Sequence, residues 1–128
     1  MTDEQAHAIA EAWRAAWNSH DPERVIAHYA SDVTYFSPFI EAAGTRPAGE
    51  LSGRDALREY AVSAFNRFPE LHFDAPLQVG AGSSSVCVVY RSVRDLLALE
   101  TLVVGGDGLI GTALCHYTSW PEGEAAPC

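Results

Sequence analysis

The sequence predicts an α+β domain in which helices cover one face of a curved antiparallel sheet. The chain has 128 residues, a usual length for one domain. Apolar residues recur at three- and four-residue steps through much of the first half, which is typical of amphipathic helices. In the second half they recur at every second residue, which is typical of strands. No internal repeat or linker interrupts this order, so we predict one domain over 1–128, with a loose tail at 120–128.

Two helices are predicted at the start of the chain. Thr2 and Gln5 have the spacing of a capping box, in which each side chain bonds the other residue's backbone N–H. Asp21 and Pro22 supply an N-cap and a first-turn proline for a short second helix. The apolar residues of the first helix recur at helical spacing: Ala6, Ile9, Ala10, Trp13, Ala16 and Trp17.

A strand, a long loop and a third helix are predicted next. The strand covers residues 33–38 and ends at a proline. Residues 39–52 lack apolar periodicity and are predicted to form a loop, and loops of this length often act as lids. Its Glu41 and Arg46 either control access to a site or are simply solvated. Ser52 is the predicted N-cap of the third helix, which ends before Pro69.

The second half is predicted to form four strands in a meander. Alternating apolar residues indicate a strand at 71–79, followed by a glycine- and serine-rich turn. Two further strands are predicted at 86–93 and 96–104, and a last one ends near Trp120.

The charge composition excludes several classes of function. Acidic residues number 17 and basic residues 8, all of them arginine, which gives a net charge of −9. This balance argues against nucleic-acid partners and anionic membrane surfaces. The absence of lysine excludes Schiff-base chemistry and a Walker-type phosphate loop. The acidic N-terminus and the lack of a long apolar run predict no membrane segment and a cytoplasmic location.

No metal or organic cofactor is predicted. Cys87, Cys115 and Cys128 lack the short spacing of metal-binding cysteines, and their odd number suits free thiols. The five histidines also show no ligand spacing.

Five short segments carry a family resemblance. They are AWNSHD at 16–21, YASDV at 29–33, SP at 37–38, GRDAL at 53–57 and DGLI at 107–110. With the element order, they resemble the nuclear transport factor 2-like superfamily, in its SnoaL-like and ketosteroid-isomerase-like branch. The resemblance covers residues 5–119. It implies a cone-shaped α+β barrel with three N-terminal helices packed on a curved, mostly antiparallel sheet. It also implies a hydrophobic small-molecule ligand in the cone and a homodimer formed through the sheet.

Few catalytic residues of these relatives are present here. Ketosteroid isomerase uses a tyrosine in helix one, an aspartate base after strand one and a protonated aspartate deeper in the sheet. By resemblance these positions fall on Trp13, Ser37 and Glu100, and only Glu100 matches in type. The limonene-epoxide-hydrolase branch uses two aspartates around an arginine. By resemblance, Arg91 lies near the position of that arginine, whereas Cys115 occupies the position of the aspartate on the last strand. The resemblance therefore does not imply the steroid isomerase mechanism.

Glu100 is the strongest candidate catalytic residue. It is the only formal charge in the apolar segment 96–104, so burial is expected to raise its pKa toward the range useful for proton transfer. If Arg94 and Asp95 form a two-residue turn, Arg91 lies diagonal to Glu100 on the same face. Such a pair would hold the carboxylate ionised. A structural ion pair, or a Glu100 that faces a dimer partner, is the alternative interpretation.

Tyrosines and other aromatic residues are predicted to complete the site. By resemblance, Tyr117 faces the cone and donates to a substrate oxygen; a hydroxyl bonded to a backbone carbonyl is the alternative. Alternation places His116 on the outer face, at a subunit interface. Tyr35 and Ser37 share the cone-facing side of the first strand. The other predicted substrate-binding residues, which could equally be core, are Trp13, Trp17, Tyr60, Phe65 and Cys115.

Two functions remain open from the sequence. The first is a cofactor-independent acid/base enzyme of isomerase, cyclase or dehydratase type, acting on a hydrophobic carbonyl-bearing molecule. Glu100 would move the proton, while Tyr117, Tyr35 or Arg91 would stabilise the developing oxygen charge. The alternative is a non-catalytic small-molecule-binding or dimeric interaction domain of the same fold.

Overall fold

The computed structural model describes residues 1–42 and 44–121 as three helices and six strands. The helices are α1 (Asp3–Asn18), α2 (Pro22–Ile26) and α3 (Arg54–Arg67). The strands are β1 (Tyr29–Phe36), β2 (Glu50–Ser52), β3 (Gln78–Ala81), β4 (Ser85–Arg91), β5 (Leu97–Val104) and β6 (Ile110–Thr118), with a 3₁₀ turn at Val93–Asp95. The predicted α+β class, with three helices preceding most of the sheet, is confirmed.

Both N-terminal helices begin as the sequence predicts. Thr2 and Gln5 form the reciprocal capping box of α1, and the Asp21 side chain accepts from the Glu23 N–H at the start of α2. The predicted N-cap of α3 is wrong by one residue. The N-cap is Gly53 instead, because Ser52 is still paired in the sheet. Gly53 has a φ of 89°, a conformation that a residue with a side chain would disfavour.

The sheet has the order β2-β1-β6-β5-β4-β3. Among the six described strands, only β1 and β6 are parallel neighbours, and the other neighbouring pairs are antiparallel. The predicted, mostly antiparallel sheet is therefore confirmed. It does not close into a full barrel, because β2 and β3 form its two edges.

Two predicted segments differ from the observed strands. Strand β2 lies inside the predicted loop 39–52, where it pairs with residues 34–36 of β1. The strand predicted at 71–79 is reduced to β3. Leu77 donates from its backbone N–H to the Val89 carbonyl at 2.8 Å, next to the start of β3. Residues 71–76 are not in a strand, and an α1 side chain holds this segment instead: Asn18 donates to the Phe73 carbonyl and accepts from its N–H, at 2.9 and 2.7 Å.

The core lies between the helices and one face of the sheet. The face turned to the helices carries Val86, Val88 and Leu102, which are completely buried. Within the described residues, no helix is long and apolar enough to cross a membrane. Trp120 donates from its indole N–H to the Asp95 carbonyl at 2.8 Å, so the start of the predicted tail is held in place. Residues 122–128, including Cys128, lie outside the described residues.

Candidate active site

A cavity of about 330 Å³ lies between α1, α3 and the helix-facing side of the sheet. Its size is at the lower end of the range for small-molecule sites. Glu100 and Tyr90 line its floor. Aromatic side chains form most of its wall: Trp13, Trp17, Tyr35, Tyr60, Phe73 and Tyr117. Charged residues stand at its mouth: Glu41, Arg46, Glu59 and Arg67.

Glu100 is placed on the floor by the pairing of three strands. On β5 it lies opposite Val88 of β4 and Cys115 of β6, so all three share the helix-facing side. Its side chain is only 1% exposed, although it borders the cavity. Tyr90 donates from its hydroxyl to Glu100 Oε1 at 2.8 Å, which fixes the orientation of the carboxyl group.

Burial dominates the ionisation of Glu100. Desolvation raises the pKa of this carboxyl to about 7, while the hydrogen bond from the Tyr90 hydroxyl partly opposes the rise. At neutral pH both protonation states are therefore well populated. A group of this kind can take up and return a proton in one catalytic cycle.

Arg91 does not lie near Glu100, and its predicted placement is wrong. The 3₁₀ turn at Val93–Asp95 contains one residue more than the predicted hairpin turn, so the register shifts by one. A shift of one residue turns every side chain of a strand to the opposite face. Arg91 consequently lies on the outer face, where it forms an ion pair with Asp95. Tyr90 occupies the position diagonal to Glu100.

Tyr117 borders the cavity, as predicted, and His116 points to the outer face. The Tyr117 ring packs edge-to-face on Phe39 with 4.7 Å between ring centres, and burial raises the pKa of its hydroxyl. His116 is exposed, and its Nδ1 lies 3.2 Å from the Leu99 carbonyl oxygen. These two placements confirm the alternation predicted for the last strand.

Three of the predicted substrate-binding residues do not line the cavity. Ser37 Oγ accepts from the Phe39 N–H at 3.2 Å and from the Tyr60 hydroxyl at 3.5 Å, so it supports the wall from behind. Phe65 stacks on His20 with 4.6 Å between ring centres. Cys115 donates from Sγ to the Tyr35 hydroxyl at 3.4 Å and lies beneath the floor. The other four, Trp13, Trp17, Tyr35 and Tyr60, do line it.

Three side chains that line the cavity each contain a buried polar atom without a hydrogen-bond partner in the described part of the chain. The atoms are Glu100 Oε2, the indole Nε1 of Trp13 and Arg46 Nε. Buried polar groups without partners are rare, and each calls for an explanation. Glu100 Oε2 accepts when ionised, whereas the nitrogens of Trp13 and Arg46 can only donate, so the three atoms suit polar groups of a bound molecule.

The sequence interpretation missed Tyr90 and Phe73. The Phe73 ring stacks on Trp13 with 5.6 Å between ring centres, and Tyr90 packs edge-to-face against both rings. The placement of Tyr90 depended on the length of the β4–β5 turn, which the sequence does not indicate. Among residues 1–42 and 44–121, no group of three or more His, Cys, Asp or Glu side chains is arranged to hold a metal ion.

The chain belongs to the SnoaL-like domain family, whose model matches residues 10–108. It is similar to a SnoaL-like protein of unknown function from Burkholderia thailandensis, with 35% identity, a TM-score of 0.84 and coverage of 93% of this chain and 99% of that one. This agreement extends over nearly all of both chains, and the nuclear transport factor 2-like fold predicted from the sequence is confirmed.

More distant structures share the fold. A putative isomerase of the SnoaL-like family from Agrobacterium tumefaciens has 17% identity and a TM-score of 0.74, with 91% and 99% of the two chains covered. An epoxide hydrolase/cyclase-like enzyme of pyran ring formation in the polyether salinomycin has 21% identity and a TM-score of 0.68, with 92% and 95% covered. No protein with a curated description matches the sequence.

Proposed function

We propose that the protein is a cofactor-independent acid/base enzyme of isomerase, cyclase or dehydratase type. Its substrate would be a hydrophobic small molecule that bears a carbonyl group. The observation that carries the proposal is Glu100: a carboxyl group only 1% exposed, bordering an aromatic cavity, with a pKa of about 7. Perturbed carboxyl groups in clefts are typical of proton-transfer sites.

The first step would be removal of a proton from the carbon next to the substrate carbonyl. The ionised Glu100 takes this proton on Oε2, the oxygen without a partner, while Tyr90 stays bonded to Oε1. The electron pair of the broken C–H bond moves into the carbonyl group and forms an enolate. Return of the proton from Glu100 to a different atom gives an isomer. If the substrate carries a hydroxyl group on the next carbon, the electron pair of the enolate instead expels that group, which takes the proton from Glu100 and leaves as water, and a dehydration product forms.

Trp13 would stabilise the developing oxygen charge. Its indole N–H borders the cavity, is buried and has no acceptor in the described part of the chain. A donor already held in place gains strength as charge develops on its acceptor. The Tyr117 hydroxyl, bordering the same cavity, is a second candidate donor. Arg91 takes no part, because it lies on the other face of the sheet.

Two relatives support this class of chemistry. One similar structure is described as a putative isomerase and another as an epoxide hydrolase/cyclase-like enzyme. Both are below 25% identity, so they share the fold, and the choice among reaction types for this chain rests on its own residues.

Deuterium exchange tests the proton transfer without requiring the natural substrate. β-Tetralone, a small aromatic ketone with exchangeable protons beside its carbonyl, is incubated with the protein in deuterium oxide and followed by NMR. We expect the wild type to accelerate exchange and Glu100→Gln to lose about a hundredfold or more of that acceleration, because the variant cannot accept a proton. Glu59→Gln is the matched control and should keep the acceleration, since Glu59 is an exposed carboxylate at the mouth of the cavity.

Two outcomes would overturn the proposal. One is undiminished exchange in Glu100→Gln, and the other is binding of the ketone with no acceleration by the wild type. The second outcome would favour a binding domain. One observation already favours that alternative: Ser37 and Cys115 do not border the cavity, so neither supplies a second polar group beside Glu100.

We further propose a homodimer formed through the outer face of the sheet. No described helix covers that face, where Val89 and Leu99 lie opposite each other and are partly exposed. His116 is the next neighbour of Leu99 on β6. Contiguous apolar residues on an exposed sheet face favour association with a second copy.

A further inference from the structure

We propose that the substrate carries a carboxylate in addition to its carbonyl group, and that Arg46 binds this carboxylate at the mouth of the cavity. The inference rests on the proposed function, because it assigns the two ends of the same cavity to two groups of one molecule. The carbonyl end would lie at Glu100, on the floor.

The guanidinium group of Arg46 lies in a half-buried side chain and contains a buried N–H that no acceptor satisfies in the described part of the chain. It lies in the connection between β1 and β2, and its side chain lines the cavity. Its Nη2 donates to the Glu41 carbonyl oxygen at 2.9 Å, which leaves the second hydrogen of that nitrogen available. Its Nε is buried and has no acceptor in the described part of the chain. A buried charged donor without an acceptor is costly, and an anionic ligand would supply the acceptor.

A carboxylate suits the guanidinium group better than a neutral oxygen does. Arginine presents parallel N–H donors in a planar fork whose spacing matches the two carboxylate oxygens. Arg67, in the last turn of α3, lines the same cavity and adds a second positive charge at the mouth. These are two of only eight basic residues in a chain of net charge −9.

Two carboxylates of the protein stand nearby and oppose an anion. Glu41 and Glu59 also line the mouth, but both are exposed, so water and salt screen their charges. The Nε edge of Arg46 is shielded from water and is screened less. We therefore expect attraction by Arg46 to exceed repulsion by the two solvated side chains.

The cavity between the two ends is apolar and aromatic. Trp17, Phe68 and Phe73 border it between the floor and the mouth. A volume of about 330 Å³ suits a small molecule with an apolar body and polar groups at opposite ends. Aryl keto acids have this arrangement.

A purely structural role for Arg46 makes a different prediction. If its bond to the Glu41 carbonyl only fixes the loop, substitution should weaken binding of acids and of matching neutral amides alike. If Arg46 binds a carboxylate, only the acids should lose affinity. The ratio of the two affinities separates the roles.

The test uses β-benzoylpropionate, its shorter and longer homologues, and the corresponding amides, with binding measured by calorimetry. We expect the wild type to bind the best acid about tenfold more tightly than its amide, as for a charge-assisted hydrogen bond. Arg46→Gln should abolish this ratio and leave the amide affinity unchanged. Arg24→Gln is the matched control for net charge, because Arg24 is exposed on α2 and does not line the cavity.

Three results would overturn the proposal: equal affinity of the wild type for acids and amides, an unchanged ratio in Arg46→Gln, or no binding of any acid in the series. Glu100→Gln separates this proposal from the proposed function. If the enzyme proposal fails but Arg46 binds carboxylates, the wild type should still bind the acid more tightly than the amide. Deuterium exchange into β-tetralone should then be absent, or should be unchanged by Glu100→Gln.

Discussion

Glu100 shows how one side chain can link stability to pH. Its folded pKa of about 7 lies above the ordinary value of 4.5, because burial disfavours the charged form. The folded protein therefore holds this proton over a pH range in which the unfolded chain has released it. The contribution of this proton to the free energy of unfolding is fully present below about pH 4.5 and is lost as pH rises through about 7.

We predict that Glu100→Gln removes this pH dependence. Between about pH 5 and pH 8, the free energy of unfolding of the variant should rise relative to wild type by about 3 kcal/mol, since the amide cannot ionise. Urea denaturation at both pH values measures the difference. His28, whose pKa burial lowers, is present in both proteins, so its effect cancels. Parallel stability curves would contradict the prediction.

The candidate at position 100 could be selected without knowledge of the strand register. Glu100 stands out as a lone charge in an apolar strand, and this signal is independent of its partners. The choice between Arg91 and Tyr90 depended on the length of one turn. Arg94 and Asp95 both adopt positive φ values, near 57°, without a glycine or asparagine to indicate that conformation. The sequence therefore contained no marker for the longer turn.

At the scale of elements, side chains of α1 hold the segment between α3 and β3. Asn18 bonds both the N–H and the carbonyl oxygen of Phe73, and Arg14 adds a second donor to that oxygen at 3.0 Å. This arrangement replaces the ladder that the alternating sequence pattern predicted. It also positions the Phe73 ring in the cavity wall.

We predict that Asn18→Ala destabilises the protein by about 1–3 kcal/mol, because it leaves the Phe73 N–H without its acceptor. Thermal or urea denaturation measures the loss. Asn66→Ala is the matched control, since Asn66 is exposed on α3 and should tolerate the change. Equal stabilities of the two variants would show that the backbone of this segment finds other partners.

Strand β2 was missed for a physical reason. It has three residues, too few to show a period of two, and only Leu51 among them is buried. Its pairing is set by β1, whose residues 34–36 offer free backbone groups at that edge. The helices, in contrast, carry long amphipathic patterns and capping residues, and these predicted their positions well.

At the scale of the whole molecule, the outer face of the sheet is the surface through which we propose that the dimer forms. We predict that Leu99→Arg converts the proposed dimer to a monomer, because the charge would be buried between two sheets. Sedimentation velocity measures the change. Val62→Arg replaces another exposed apolar residue, 43% exposed on α3, and should leave the dimer intact. A monomeric wild type would contradict the assembly proposal itself.

The overall architecture was more predictable than the site. The order of helical and alternating segments, together with short motifs, predicted the fold class and its family, and these do not depend on single contacts. Which side chains line the cavity depended on the pairing register of each strand and on the path of the segments outside helices and strands. Ser37, Phe65 and Cys115 show the limit: each is buried close to the cavity, and local geometry alone decides that they do not face it.

The parallel pairing of β1 with β6 has a consequence for folding kinetics. It joins Tyr29 to Ile110 and brings Cys115 to Tyr35 across 80 positions of sequence. Contacts of such long range require a large loop to close before they yield any stabilisation, and they slow the search for the native state. We therefore expect the local pairings of the β3–β6 meander to form before the pairing of β1 with β6, so that the cavity is completed late in folding.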